Sequence, residues 1–240
     1  MPKKLFTIFI GVIIFFVIGE VGYRFYLYTF KPLNRPSKIY GLPWEPTPHA
    51  DVIRDGIRYR INSLGLRDYE YTVNKDKGVI RIIAIGDSTT FGYTDVKDTY
   101  PNVLERELRN KFKGKRFEIL NFGIEGIDSK HELDILKERV MKFDPDLVIV
   151  GYCLNDIRFT VINPVLLWIM EHSNFCDFLA VKIVETARIW RAKTGLVTSE
   201  SYSNFVFGLY EDEERILKLR NILREMKTIL YNENRKLIVA

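Results

Sequence analysis

The chain has 240 residues, 36 Lys and Arg against 31 Asp and Glu, and 47% apolar side chains. That length suits one domain with an added segment, and the composition is too apolar for a disordered chain. Two cysteines exclude a disulfide-stapled scaffold and a Cys-rich zinc module.

A sequence pI of about 9.0 raises nucleic acid as a partner, and the position of the charge decides. Residues 1–39 carry Lys3, Lys4, Arg24, Lys31, Arg35 and Lys38 against Glu20 alone, while residues 40–240 hold 30 basic and 30 acidic residues. A nucleic-acid binder carries its basic stripe on the folded domain, so no nucleic-acid partner is expected.

Residues 1–28 read as an N-terminal signal anchor. Leu5–Gly19 is uncharged, and after Glu20 the apolar character continues through Tyr28. A helix over 5–28 would be about 36 Å long, enough for a hydrocarbon core of about 30 Å. Glu20 and Arg24 can pair at i, i+4, and Tyr23, Tyr26 and Tyr28 suit an interfacial belt. Bulky residues over 17–31 leave no small-x-small cleavage site, so an uncleaved anchor is favoured over a removed leader. Lys3 and Lys4 favour an inside N-terminus and an extracytoplasmic domain, periplasmic or extracellular, with Arg24, Lys31 and Arg35 competing.

Residues 29–77 read as an extended connector with minor β structure, punctuated by Pro and Gly, with Ile57–Ile61 alternating like a hairpin strand. Residues 78–240 form the main domain. Val79–Ile85 and Asp146–Gly151 are apolar runs typical of strands buried on both faces, and Phe117–Asn121 is a further strand. Helices are expected over Tyr100–Phe112, with Pro101 in the first turn, and over Ser129–Phe143. A helical insertion is expected over about 160–210, broken by too many charges for a second span, then an amphipathic helix over 211–232 and a strand at Lys236–Ala240. Strands alternating with helices imply an α/β fold with a parallel sheet.

Ligands of such sheets bind at the carboxyl ends of the strands. Three polar segments stand there: Gly86-Asp87-Ser88-Thr89, Asn121-Phe-Gly123-Ile-Glu-Gly126, and Gly151-Tyr-Cys-Leu-Asn155-Asp156. In order and spacing they resemble the first three blocks of the SGNH hydrolases, the GDSL-type lipases and esterases, with Thr89 in place of the usual Leu. Asn62-Ser-Leu-Gly-Leu-Arg67 is similar to a segment that precedes this domain in membrane-anchored members. The resemblance covers about residues 79–240. It implies a flavodoxin-like three-layer sandwich and acyl transfer from oxygen esters, acetylated carbohydrate or lipid acyl esters being the substrates. It makes Ser88 the nucleophile on a tight turn that Gly86 permits. Ser88, Gly126 and Asn155 become the oxyanion donors, aimed where negative charge develops. Asp87 is expected to be structural.

The family draws its base from a C-terminal Asp-x-x-His block, and this chain reads as having no such block. The chain is therefore expected to lack the last crossover and strand, and to be inactive or weak as written. His49 reads as a surface residue, His131 as a solvent-facing helix residue, and His172 as remote unless the insertion folds over the site. An O-acyltransferase acting on a cell-surface polysaccharide and a non-catalytic binding module are the alternatives. Cys153 reads as a small buried residue, with pairing to Cys176 open, and the aromatics Tyr202, Phe205, Phe207 and Tyr210 read as core packing in preference to the lining of an acyl or sugar pocket. With no phosphate loop, zinc-ligand spacing or dinucleotide fingerprint, neither cofactor nor metal is expected.

Overall fold

The computed structural model describes residues 3–37, 39, 41–159, 165, 168–169, 172–194 and 199–240. Part of the expected insertion, including Glu171 and Met170, lies outside them.

The apolar N-terminal run forms one helix, α1 (Lys3–Phe30), long and apolar enough to cross a membrane. The following segment folds into two small antiparallel ladders. β1 (Asn34–Pro36) pairs with β2 (Trp44–Pro46), and β3 (Asp51–Arg54) with β4 (Ile57–Arg60).

The main sheet holds β5 (Val79–Gly86), β6 (Arg116–Gly123), β7 (Leu147–Gly151) and β8 (Lys236–Val239), all parallel, in the order β6-β5-β7-β8. The first strand is central, so the chain leaves β5 to one side and returns to its other side at β7. That reversal is the switch point at which open α/β sheets bind ligands.

Helices cover both faces. On one, α3 (Tyr100–Lys111) lays Leu104 and Leu108 over the in-register row Ile82, Ile119 and Leu147, with Ile149 beside it. On the other, α4 (Ser129–Glu138) and α7 (Glu213–Asn232) enclose the larger core, where Ile83, Ile85, Leu120, Val148 and Val150 meet Leu136, Met226 and Leu230. This is the three-layer α/β sandwich.

The helix expected over 129–143 stops at Glu138 and resumes as a 3-10 turn at Val140–Phe143. Between them Arg139 turns inward, its Nη2 donating to Leu64 O at 2.7 Å and its guanidinium lying 5.5 Å from the Phe122 ring. The described part of the insertion comprises α5 (Asn174–Lys193) and α6 (Ser199–Gly208). Tyr202, Phe205 and Phe207 are 45–60% exposed rather than packed in a core, and only Val206 and Leu209 beside them are buried.

Residues 61–68 are woven into the domain. Asn62 Oδ1 accepts from the amides of Leu64 and Leu66, closing a turn in which Gly65 takes φ +75°. The turn sends Arg67 and Asp68 inward. Asp68 accepts from the Asn121 amide of β6 at 2.8 Å and from Asn102 of α3 at 3.0 Å. Its burial pushes the carboxyl pKa up to about 7, against the opposing pull of those bonds.

Candidate active site

β5, β6 and β7 each end in glycine, and Gly123, Gly86 and Gly151 are in register across the sheet. A short helix, α2 (Ser88–Phe91), sits directly on these ends. A Cβ on Gly123 would lie 2.2 Å from the Phe91 amide nitrogen, and one on Gly86 2.0 Å from Thr90 Oγ1. Gly86 is thus required by this close seat of α2 on the strand ends.

Asp87 caps the first turn of α2, accepting from the Thr89 amide and hydroxyl, each at 2.8 Å. Its second oxygen is shared: Ser88 Oγ lies 3.4 Å and Asn155 Nδ2 3.3 Å from Asp87 Oδ2. Two of the three expected site residues therefore meet on one buried carboxylate. Both are half-buried and reachable from outside.

Gly126, the third, is exposed on the loop after β6 at φ +75°, a conformation that favours glycine, and Trp44 packs 3.0 Å from where its Cβ would stand. Trp44 Nε1 donates to Glu125 O at 2.8 Å, which fixes the peptide leading into Gly126. The Glu125 carboxylate takes a two-pronged bond from Arg54, at 2.6 and 3.1 Å. The Tyr93 hydroxyl faces both Glu125 and Ser88, and burial raises its pKa. Trp44, Arg54, Tyr93 and Glu125 thus wall the site beside Ser88, and sequence reasoning missed all four. Only Glu125, inside the glycine block, carried a local signal.

Arg67 holds the far end of α2. Fully buried, it donates from Nη1 to Phe91 O at 2.8 Å and Gly92 O at 2.6 Å, and from Nη2 to Thr94 O. The Tyr59 ring lies beneath its guanidinium at 4.4 Å.

The Asn155 loop is a 3-10 turn, Leu154–Arg158, held at both ends. Asp156 accepts from the Cys153 amide at 2.6 Å, and the Tyr210 hydroxyl donates to Leu154 O at 2.9 Å while contacting Tyr152 Oη. Behind it lies a buried acidic group of Asp87, Asp128, Glu132 and Asp156. Burial, reinforced by neighbouring carboxylates, pushes Asp156 up to about 8 and raises Glu132 well above the ordinary carboxyl range. Both Glu132 carboxylate oxygens are buried without a hydrogen-bond partner. Among the described residues no cluster is arranged to hold a metal ion.

None of the three histidines contacts Ser88 among the described residues. His49 is exposed, and His172 stacks on Trp168 at 4.3 Å, near α1. His131 is buried rather than solvent-facing. Asp128-Ser-Lys-His131 has the Asp-x-x-His spacing, which the sequence reading passed over, but it works as a capping box of α4. Asp128 accepts from the Lys130 amide at 3.0 Å, and His131 Nδ1 from the Asp128 amide at 3.2 Å. Cys153 and Cys176 are both free, and Cys153 is half-buried with its thiol pKa raised by burial, which disfavours a thiolate.

Residues 84–228 match the GDSL-like lipase/acylhydrolase family. Among solved structures, TesA is 15% identical with a TM-score of 0.39, covering 66% of this chain and 58% of its own. A protein described as lipolytic and of the G-D-S-L family, from Desulfitobacterium hafniense DCB-2, is 16% identical with a TM-score of 0.31, covering 67% of this chain and 77% of its own. The chain thus spans less than two thirds of the TesA structure. No curated protein matches it. With the strand order, the glycine-ended strands and the Ser88–Asn155 convergence, the match over 84–228 makes this chain a member of the GDSL-like lipase/acylhydrolase family of SGNH hydrolases.

Proposed function

We propose that the protein is a membrane-anchored serine esterase whose domain faces the extracytoplasmic side and acts on oxygen esters, acetylated carbohydrate or lipid acyl esters. The observation that carries this reading is the meeting of Ser88 Oγ and Asn155 Nδ2 on Asp87 Oδ2, which sets a nucleophile and an oxyanion donor side by side. In the reaction, Ser88 Oγ attacks the acyl carbon and the carbonyl oxygen gains negative charge. The Ser88 amide, the Gly126 amide and Asn155 Nδ2 receive that charge. Collapse expels the alcohol, and water then releases the acyl group from Ser88.

The serine proton passes to solvent water, which returns one to the departing alkoxide, because the histidines are engaged elsewhere: His131 in its cap, His172 on Trp168. Turnover by the chain as given is therefore expected to be slow and to rest on oxyanion stabilisation. The same histidine placement favours, as the second reading, a binding module that keeps the fold without the chemistry.

A fluorophosphonate probe on the full chain in detergent separates the two. The esterase reading expects a covalent adduct, mapped to Ser88 by peptide mass spectrometry and absent in Ser88→Ala. A folded protein that stays unlabelled after prolonged exposure overturns it.

A further inference from the structure

α1 contains one acid in its apolar course, Glu20, and that carboxylate is fully engaged. It accepts from the Phe175 amide at 2.9 Å, the Asn174 amide at 3.3 Å and Ser173 Oγ at 2.8 Å, while Arg24 Nε lies 2.6 Å away. Asn174 and Phe175 open α5, so a carboxylate of α1 satisfies the amides left free at the start of α5. The two helices are also in close apolar contact there. The Phe175 ring occupies the space over Gly19, where a Cβ would lie 2.3 Å from it, and stands 5.6 Å from the Phe15 ring.

The depth of this contact follows from helix geometry. Phe15 and Gly19 lie about 12 and 6 Å along the axis on the N-terminal side of Tyr23, which begins the tyrosine belt. From Phe175 the helix rises with α1: Phe178 packs on Tyr23 at 4.7 Å, and α5 then reaches β1. The start of α5 is therefore level with the apolar stretch of α1, and its later turns are level with the folded domain. Trp168 and Ile169, just before this start, are 59% and 37% exposed.

We propose that the insertion docks beside α1 in the outer leaflet of the same bilayer, with Trp168 and Ile169 in contact with lipid and Trp190 outside it. The proposal rests on α1 being a membrane span. Lipid is the occupant because Trp168 and Ile169 are exposed apolar side chains directly before the turn that packs on the apolar stretch of α1. A bare acid and bare helix amides are both costly in hydrocarbon, and here each removes the other's deficit. At its other end the insertion reaches Tyr210, whose hydroxyl holds Leu154 O next to Asn155.

The test uses the full chain in phosphatidylcholine vesicles whose acyl chains carry bromine near the headgroup end. Bromolipid is expected to quench part of the tryptophan emission, and that part is lost in Trp168→Phe but kept in Trp190→Phe and Trp44→Phe. Glu20→Leu, which removes the acceptor for α5, is expected to diminish the Trp168 quenching while the protein still resists alkaline carbonate extraction. Carbonate-resistant protein whose quenching is unchanged by Trp168→Phe overturns the docking. So does unchanged Trp168 quenching in Glu20→Leu, since the tether would then be idle. A wild-type chain that carbonate extracts overturns the anchor itself, and the docking with it.

Discussion

Glu132→Gln tests whether the buried acids behind the Asn155 loop weaken the fold. Glu132 is fully buried on α4, neither oxygen has a hydrogen-bond partner, and Asp156, Asp87 and Asp128 add like charge around it. All of this favours the protonated form in the folded state. The folded protein therefore holds this proton more tightly than the unfolded chain does. Its contribution to stability is whole below the ordinary carboxyl range, near pH 4.5, and is lost as pH rises above it. The loss is at most about 1.4 kcal/mol per pH unit while the folded carboxyl stays protonated and the unfolded one is ionised. The amide cannot ionise, so the variant escapes that slope without forfeiting any bond seen in the structure. Urea unfolding of both proteins in the same detergent, at pH steps from about 4.5 to 8, reads the difference. The variant should match the wild type at the acid end and become progressively more stable towards neutral pH. A gap that does not change with pH, or a variant that is less stable throughout, refutes the reasoning and means that Glu132 has a favourable partner.

Three further outcomes follow from the site. Gly123→Ala drives a methyl into the Phe91 backbone, which cannot swing aside as a side chain would. It should cost about 1–3 kcal/mol in urea unfolding and also slow labelling of Ser88, because α2 must move. Asp87→Ala removes the cap of α2 and the shared acceptor of Ser88 and Asn155. A loss of about 0.5–2 kcal/mol in thermal unfolding is expected. Asn155→Ala should lower the rate of Ser88 phosphonylation by about 10²- to 10³-fold with stability little changed, read by time-resolved probe labelling. An unaltered rate removes Asn155 from the oxyanion site.

Those residues were legible in the sequence because the strands declare themselves. Val79–Ile85 and Asp146–Gly151 are continuous apolar runs, and whatever polar residues follow such runs stand at the carboxyl edge of the sheet. The roles of Ser88, Gly126 and Asn155 come from the resemblance of those segments to the SGNH hydrolase blocks. The wall around them was not legible. Trp44, Arg54 and Tyr59 come from the segment before the sheet, and Trp44 and Arg54 meet Glu125 across more than seventy positions of sequence. Contacts of that span impose no periodicity on either partner. Arg67 stands in the Asn62–Arg67 segment that resembles membrane-anchored members, but its role emerges only when α2 is placed above it and three carbonyls converge on its guanidinium. His131 failed for a nearer reason. Its partner, Asp128, is only three residues away, but a helical histidine was assumed to face solvent. Glu132 did carry a sign, since it shares the buried stripe of α4 with Ser129, Leu133 and Leu136.

The segment between α1 and β5 also bears on how the domain can be set free. A protease cutting a passive tether between α1 and the domain would release that domain intact. Here a cut after Trp44 would detach the indole that supports the Gly126 peptide, and one after Arg54 would also detach the partner of Glu125. A cut after Arg67 would detach the clamp on α2 as well. A cut between Phe30 and Trp44 leaves Trp44, Arg54 and Arg67 with the domain. A shed form that retains Ser88 reactivity should accordingly begin within that window.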